Sequence, residues 1–189
     1  MYYYEERYRT KYHSARKDKI KYIVIHYTGT AAGALANARA IERNLKKPRS
    51  THYFVEGERV LHVVPDGRAA WHVGELNASK KIPVCNQNAI GVDLCEDKLV
   101  YDKAHRSAGD TDWYFDEETE ATAAELVAGL MRAYLVPIEH VVRHFDVTGK
   151  DCPRPFVGDD INIVYGESGN ARWAAFRALV SEFYEGAHR

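Results

Sequence analysis

The segment IKYIVIHYTG, residues 20–29, decides the fold of this chain. Its β-branched and aromatic residues, closed by a Thr-Gly pair, are typical of a buried strand that leads into a loop. Further strands are predicted at 89–95 (AIGVDLC) and 138–145 (IEHVVRHF), and a hairpin at 51–65 (THYFVEGERVLHVVP). Together these segments predict a central β-sheet.

Segments with apolar residues at helical spacing lie between and after the predicted strands. A first helix is predicted over 33–47 and ends before Pro48, whereas a long helix is predicted over 116–136 with Asp116 as its N-cap. A terminal helix is predicted over 169–186. The apolar face of the first helix would consist of Leu35, Ala38, Ile41 and Leu45. Because strands and helices intermingle, we expect a single α/β domain whose central mixed β-sheet is flanked by helices.

The remaining segments are polar or lack a sustained hydrophobic period. Residues 1–19 are charged and tyrosine-rich, and we expect them to form an extended or partly ordered arm that precedes a domain over 20–189. Residues 65–88 predict a long functional loop, and residues 97–113 predict a polar insertion.

The composition argues against several classes of protein. The chain has 189 residues and a formal net charge of −1, so no overall basic field points to nucleic acid. It contains no run of about 18 apolar residues that would predict a membrane span. Because the N-terminus lacks the apolar region of a secretory signal, we expect synthesis in the cytoplasm without a signal peptide.

The three cysteines are expected to be reduced, since an odd number in a chain without a signal argues against a disulfide framework. Cys95 ends an apolar run and is typical of packing, whereas Cys85 has no evident role. Cys152 stands directly before Pro153, which favours an extended backbone at the cysteine. That conformation suits a ligand better than a nucleophile at a helix N-terminus.

Two histidines at strand ends are candidate partners for this cysteine. His26 lies near the end of the first strand, and His144 ends the strand after the long helix, eight residues before Cys152. Three protein ligands with an open fourth position are the pattern of a catalytic zinc site. Spacing alone leaves two alternatives open, namely histidines that are merely packed and a thiol hydrolase that uses Cys152 with His144.

Five blocks follow one another along the chain, namely YIVIHYTGT, STHYFVE, VVPDGRAAWHVGE, NAIGVDLCE and RHFDVTGKDCPRPF. In this order they resemble the zinc-dependent N-acetylmuramoyl-L-alanine amidases of the amidase-2 type. This family includes phage lysins, bacterial autolysins and animal peptidoglycan recognition proteins, and the likeness is greatest to amidases of phages and prophages of clostridium-like Gram-positive bacteria. The resemblance implies hydrolysis of the amide between N-acetylmuramic acid and L-alanine in bacterial peptidoglycan.

The resemblance also implies roles for individual residues. His26, His144 and Cys152 match the ligands of Zn2+, and the third ligand favours an enzyme over a non-catalytic peptidoglycan-binding module. Lys150 matches a lysine that would stabilise an oxyanion. Asp93 stands where many relatives have a glutamate that shuttles a proton. Since aspartate is one methylene shorter, the shuttle could use a water or Glu96, and Asp93 could instead be a structural acceptor.

Four further residues match blocks that line the cleft in relatives. They are His52 and Tyr53 in one block and Trp71 and His72 in another, and each could contact substrate or be structural. No wall-binding domain is visible in the sequence. The missing signal favours a lysin over an autolysin, so we expect release to the cell wall through a membrane lesion made by a holin.

Overall fold

A computed structural model describes residues 2–43, 46–77, 79–99 and 110–186. Its centre is a six-stranded sheet with the order β1-β5-β4-β7-β3-β10. The strands are β1 (Tyr3–Glu6), β2 (His13–Ala15), β3 (Tyr22–Tyr27), β4 (Tyr53–Glu56), β5 (Arg59–His62), β6 (Arg68–Ala70), β7 (Ala89–Leu94), β8 (Asp97–Lys98), β9 (Trp113–Tyr114), β10 (Val141–Arg143), β11 (Ile161–Asn162) and β12 (Glu167–Ser168). The helices are α1 (Ala34–Arg43), α2 (Glu117–Tyr134), α3 (His144–Thr148) and α4 (Gly169–Gly186).

The sheet is mixed, as the sequence predicts. Strands β4 and β5 form the expected antiparallel hairpin, whereas β4, β7, β3 and β10 are parallel neighbours. Because parallel strands end at the same edge, residues at the carboxyl ends of β3, β7 and β10 lie near one another, where open α/β sheets bind their ligands.

Alternation along each strand divides the core between the two faces of the sheet. On one face, Ile23 and Ile25 of β3 pack in the cluster that includes the buried residues of α2 and α4. On the other face, Val24 packs in a cluster with Val147 of α3, and Phe54 of β4 packs with α1. The functional side chains of β3 and β7 lie on this second face.

The predicted helices are present where the structure describes them. Asp116 caps α2, since its carboxylate accepts a hydrogen bond of 2.7 Å from the amide of Thr119. Leu45 of the predicted first helix lies outside the described residues. No described helix combines the length and the apolar character needed to span a bilayer.

The N-terminal residues pair as strands, which corrects the prediction of an extended or partly ordered arm. Strand β1 pairs in parallel with β5 at an edge of the main sheet, and β2 pairs with β6. The Arg16 guanidinium donates to the backbone carbonyls of Asp66, Arg68, Gln87 and Ala89. Strand pairing and polar side-chain contacts, among them those of Arg16, therefore attach the segment to the domain, and sequence patterns that search for apolar runs do not detect such contacts.

Two other predicted segments differ in detail. Residues 138–145 are not one strand, because a 3₁₀ turn (Ile138–His140) precedes β10 and α3 begins at His144. The two ends of the predicted polar insertion pair as β8 and β9, and residues 100–109 lie outside the described part of the chain.

Candidate active site and metal centre

The carboxyl ends of adjacent strands bring the first two candidate residues together. His26 of β3 and Asp93 of β7 are register partners, so both side chains lie on the same face of the sheet. His144 follows the last residue of β10, which is the parallel neighbour of β3 on its other side. Three segments that are distant in sequence thus meet at one edge.

A short helix and its following turn return Cys152 to the same place. Helix α3 ends at Thr148 and is capped by Gly149, whose φ of 81° lies in the left-handed region that favours glycine. The amide of Phe145 then donates to the carbonyl of Cys152 at 2.9 Å, and the Cys152 amide donates to the Lys150 carbonyl at 2.7 Å. These bonds fix the cysteine beside the start of α3.

The donor atoms of His26, His144 and Cys152 have the separation that a zinc ion requires. One ligand atom from each lies within 4.8 Å of the others, and His26 Nδ1 is 3.7 Å from Cys152 Sγ. Tetrahedral zinc, with Zn–N near 2.05 Å and Zn–S near 2.3 Å, would separate such a pair by about 3.6 Å. His144 Nδ1 is buried and has no partner among the described residues. The residues therefore fit the metal.

Burial sets the protonation of these three side chains. It lowers the pKa of His26 well below its usual value, with further lowering from His144, and it lowers the pKa of His144 to about 4 with the help of Lys150 and Lys80. Both imidazoles are neutral at pH 7 and can offer a lone pair. Burial raises the pKa of the Cys152 thiol to about 12, so that only a nearby cation would favour its thiolate.

Asp93 and Lys150 face the same pocket. Burial raises the pKa of the Asp93 carboxyl to about 7, against lowering by Thr51, Arg49 and Lys150. Its Oδ1 atom is buried without a hydrogen-bond partner among the described residues. Lys150 is exposed at the pocket rim. The amide of Lys150 donates to Thr148 Oγ1 at 3.3 Å, in agreement with the shape expected of this loop.

The four residues assigned to the cleft separate into two groups. Trp71 and His72 line the pocket, and the Trp71 ring packs against Tyr12. His52 and Tyr53 do not belong to its lining. His52 is fully buried and accepts a hydrogen bond of 2.9 Å from the amide of Gly91.

Tyr53 points to the opposite face of the sheet from Phe54, which does line the pocket. Its ring stacks on His62 and its hydroxyl donates to Asp66 at 2.8 Å. Adjacent residues of a strand cannot face the same side. Tyr53 therefore does not line this pocket, whereas Phe54 does, and strand alternation is the signal that would have selected Phe54.

The pocket encloses a cavity of about 90 Å³ and contains residues that the sequence analysis did not single out. Arg49 adds a second cation, and Thr51 adds a hydroxyl whose hydrogen bonding lowers the pKa of Asp93. Glu96, by contrast, lies outside the lining and accepts from the Thr28 and Thr30 amides, at 2.9 Å and 2.6 Å, so it holds the loop after β3. The remaining lining residues are Tyr27, Thr28, Asn37, Ile41, Ser50 and Phe54.

Comparison with known proteins identifies the family. Residues 16–155 match the Amidase_2 family, described as N-acetylmuramoyl-L-alanine amidase. This chain belongs to that family. The match includes every candidate ligand and pocket residue described above.

Relatives and solved structures agree with this membership. A probable N-acetylmuramoyl-L-alanine amidase of Bacillus licheniformis is 35% identical over 147 residues, and the amidase CwlL of the same species is 35% identical over 151. Each alignment covers 74% of this chain but 38% of the relative's length. The structure of PlyL is similar with a TM-score of 0.64 and 25% identity, covering 95% of this chain and 96% of that one. The expected α/β fold with a central mixed sheet is thereby confirmed.

Proposed function

We propose that this domain hydrolyses the amide bond between N-acetylmuramic acid and L-alanine in bacterial peptidoglycan, with zinc held by His26, His144 and Cys152. The observation that carries the proposal is the convergence of two neutral imidazoles and a thiol within 4.8 Å, at the base of a pocket that also contains Asp93. Family membership supports the choice of bond, since the curated relatives are named for this activity.

When bound, zinc would polarise the scissile carbonyl as a Lewis acid and make water a stronger acid. The three ligands would hold it with one position open. The chain itself must then accept a proton from the attacking water, deliver one to the leaving amine and stabilise the negative charge on the carbonyl oxygen.

Asp93 is suited to the proton transfer. A catalytic acid–base works best when its pKa lies near the working pH, and burial raises the pKa of Asp93 to about 7. Its Oδ1 atom has no hydrogen-bond partner among the described residues and is available to water or to the leaving nitrogen. Glu96 is occupied with the loop after β3, so the shorter Asp93 remains the candidate shuttle.

Lys150 is suited to stabilise the oxyanion. Its side chain lies at the rim of the pocket and no acceptor is found for its ammonium among the described residues. The ammonium can therefore donate to the oxygen that gains charge in the transition state. Loss of such a donor raises the barrier by about 3 kcal/mol.

A thiol hydrolase fits the site less well. The Cys152 side chain is 2% exposed and its thiol has a pKa near 12, whereas a nucleophilic cysteine needs a lowered pKa and access to substrate. As for cellular context, we propose that the enzyme reaches peptidoglycan as a lysin, and release through a holin-made lesion stays a prediction.

The proposal is tested by metal analysis together with a cell-wall digest. The purified chain should contain one zinc per chain and release new L-alanine amino termini from peptidoglycan. Strong chelation should abolish the release and added zinc should restore it, whereas thiol alkylation of the zinc-loaded chain should have little effect. Digestion that yields no alanine amino termini, or that survives complete zinc removal, would contradict the proposal.

A further inference from the structure

His72 makes a direct contact with a candidate zinc ligand, although its motif suggests a role at the substrate. Its Nδ1 atom lies 2.9 Å from His26 Nε2, and the two rings meet edge to face at 87°. A hydrogen bond between two imidazole nitrogens requires that only one of them carries the proton. The direction of this bond therefore determines which nitrogen of His26 has a free lone pair.

The opposite side of the His26 ring decides that direction. His26 Nδ1 faces Cys152 Sγ at 3.7 Å and is the atom directed into the ligand cluster. A metal ligand needs a lone pair at this atom, so the proton must be on Nε2, which then donates to His72 Nδ1. Because His72 Nδ1 is then the acceptor, a neutral His72 carries its own proton on Nε2.

We propose that His72 is a positioning residue that accepts the His26 Nε2–H and so holds His26 in the tautomer whose Nδ1 can bind zinc. This inference rests on the proposed function. Ligand histidines commonly donate their second ring N–H to an acceptor, and loss of that acceptor weakens metal affinity 10- to 100-fold. His72 is an imidazole acceptor in that place.

The surrounding chain is built to hold His72 there. The amides of His72, Val73 and Gly74 all donate to Asn86 Oδ1 at 3.0 Å, which fixes the backbone on which the ring is mounted. The His52 ring lies edge to face against it, with ring centroids 5.6 Å apart. A side chain held by these contacts has little freedom to change its conformation when substrate binds.

Gly91 in β7 provides the space for the ring. A Cβ atom at this position would lie 2.8 Å from both Cγ and Nδ1 of His72 and 3.0 Å from Thr51 Oγ1. Real Cβ atoms essentially never approach so closely, so an alanine here would push the His72 nitrogen away from His26. Gly91→Ala thus perturbs the same hydrogen bond without removing either histidine.

Two replacements of His72 distinguish positioning from packing. In His72→Asn the amide oxygen can still accept from His26, whereas His72→Leu offers no acceptor. Zinc affinity is measured by competition with a chromophoric chelator. We expect zinc binding 10- to 100-fold weaker in His72→Leu and in Gly91→Ala, and within about threefold of wild type in His72→Asn. His140→Leu is the control, since that ring contacts Tyr22 and the Lys21 carbonyl at the far end of β3.

Imidazole NMR of the wild-type chain provides a test that needs no variant to fold. We expect the His26 proton on Nε2 in both the zinc-free and the zinc-loaded chain. A His26 proton on Nδ1, wild-type zinc affinity in His72→Leu, or equal loss of affinity in the leucine and asparagine variants would each overturn the inference. If wild type bound no zinc at all, the proposed function would fail, while the tautomer measured in the zinc-free chain would still decide the His26–His72 bond.

Discussion

Replacement of Arg16 by methionine should destabilise the whole domain, although Arg16 lies in a segment whose sequence predicts an extended or partly ordered arm. Its guanidinium donates to the carbonyls of Asp66 at 2.8 Å, Gln87 at 2.6 Å, Arg68 at 2.9 Å and Ala89 at 3.1 Å. Methionine keeps most of the aliphatic stem but leaves these four acceptors without their donor.

The structure sets the size of the expected effect. A hydrogen bond from a charged donor contributes roughly 1.5–3 kcal/mol, but Arg16 is only partly buried and water can reach some of the acceptors. At about 1 kcal/mol for each carbonyl, Arg16→Met should lower the free energy of unfolding by roughly 3–4 kcal/mol. For a chain of this size, at about 2–4 °C for each kcal/mol, that corresponds to a fall in Tm of roughly 6–16 °C.

Urea denaturation followed by circular dichroism and thermal unfolding would measure the loss. Arg16→Lys keeps the charge but presents a single ammonium, so it should recover only part of the stability. Lys17→Met is the matched control, because its side chain is exposed, and should change the free energy of unfolding by less than about 0.5 kcal/mol. A loss below about 1 kcal/mol in Arg16→Met would refute the view that this arginine fastens the N-terminal segment to the domain.

Three further predictions concern the site and its support. Lys150→Met should keep its zinc but lose roughly 100-fold in kcat, because the oxyanion loses its donor, and wild-type kcat would remove Lys150 from the mechanism. Cys152→Ala should lose both zinc and activity, and a full zinc content in that variant would refute the ligand role. Asp66→Asn should lower the free energy of unfolding at pH 7 by about 1–2 kcal/mol. Urea titrations should show that this difference from wild type becomes smaller below about pH 4.

The sign of the last effect follows from the surroundings of Asp66. Burial raises the pKa of this carboxyl, but hydrogen bonds from His62, Tyr134 and Tyr53 outweigh it and hold the pKa below its usual value. A lowered folded-state pKa stabilises the fold above the unfolded value near 3.9, and this stabilisation is lost as the pH falls through the folded-state pKa. A difference between Asp66→Asn and wild type that stays constant down to pH 2 would contradict this assignment.

The sequence predicts the sheet and its helices well because apolar periodicity marks buried elements. It also brings the candidate ligands together correctly, since His26 and His144 stand at the ends of strands that prove to be parallel neighbours. Their role as ligands stays a prediction. The structure does show that the three candidate ligands lie close together, whereas the sequence offers only their spacing and a family resemblance.

The parts that sequence analysis misses depend on polar contacts without a period. Tyrosine hydroxyls help to attach the β1 segment to β5, since Tyr4 and Tyr8 both form hydrogen bonds with His62. The sequence has no apolar run here that would predict a strand. The role of Gly91 is equally invisible, because the need for glycine arises from a ring that lies some 20 residues away in the chain. Both features become evident only when distant segments are seen in contact.

Two of the three candidate ligands, His26 and Cys152, are 126 residues apart in the chain. An ion bound between His26 and Cys152 would connect the first strand of the parallel set to the segment that follows the last one. Any ion that binds only the folded chain stabilises it, by about 4 kcal/mol when its concentration is 1,000 times the dissociation constant. Metal-poor surroundings would therefore shorten the working life of the protein as well as stop its chemistry, since proteases cleave the unfolded chain.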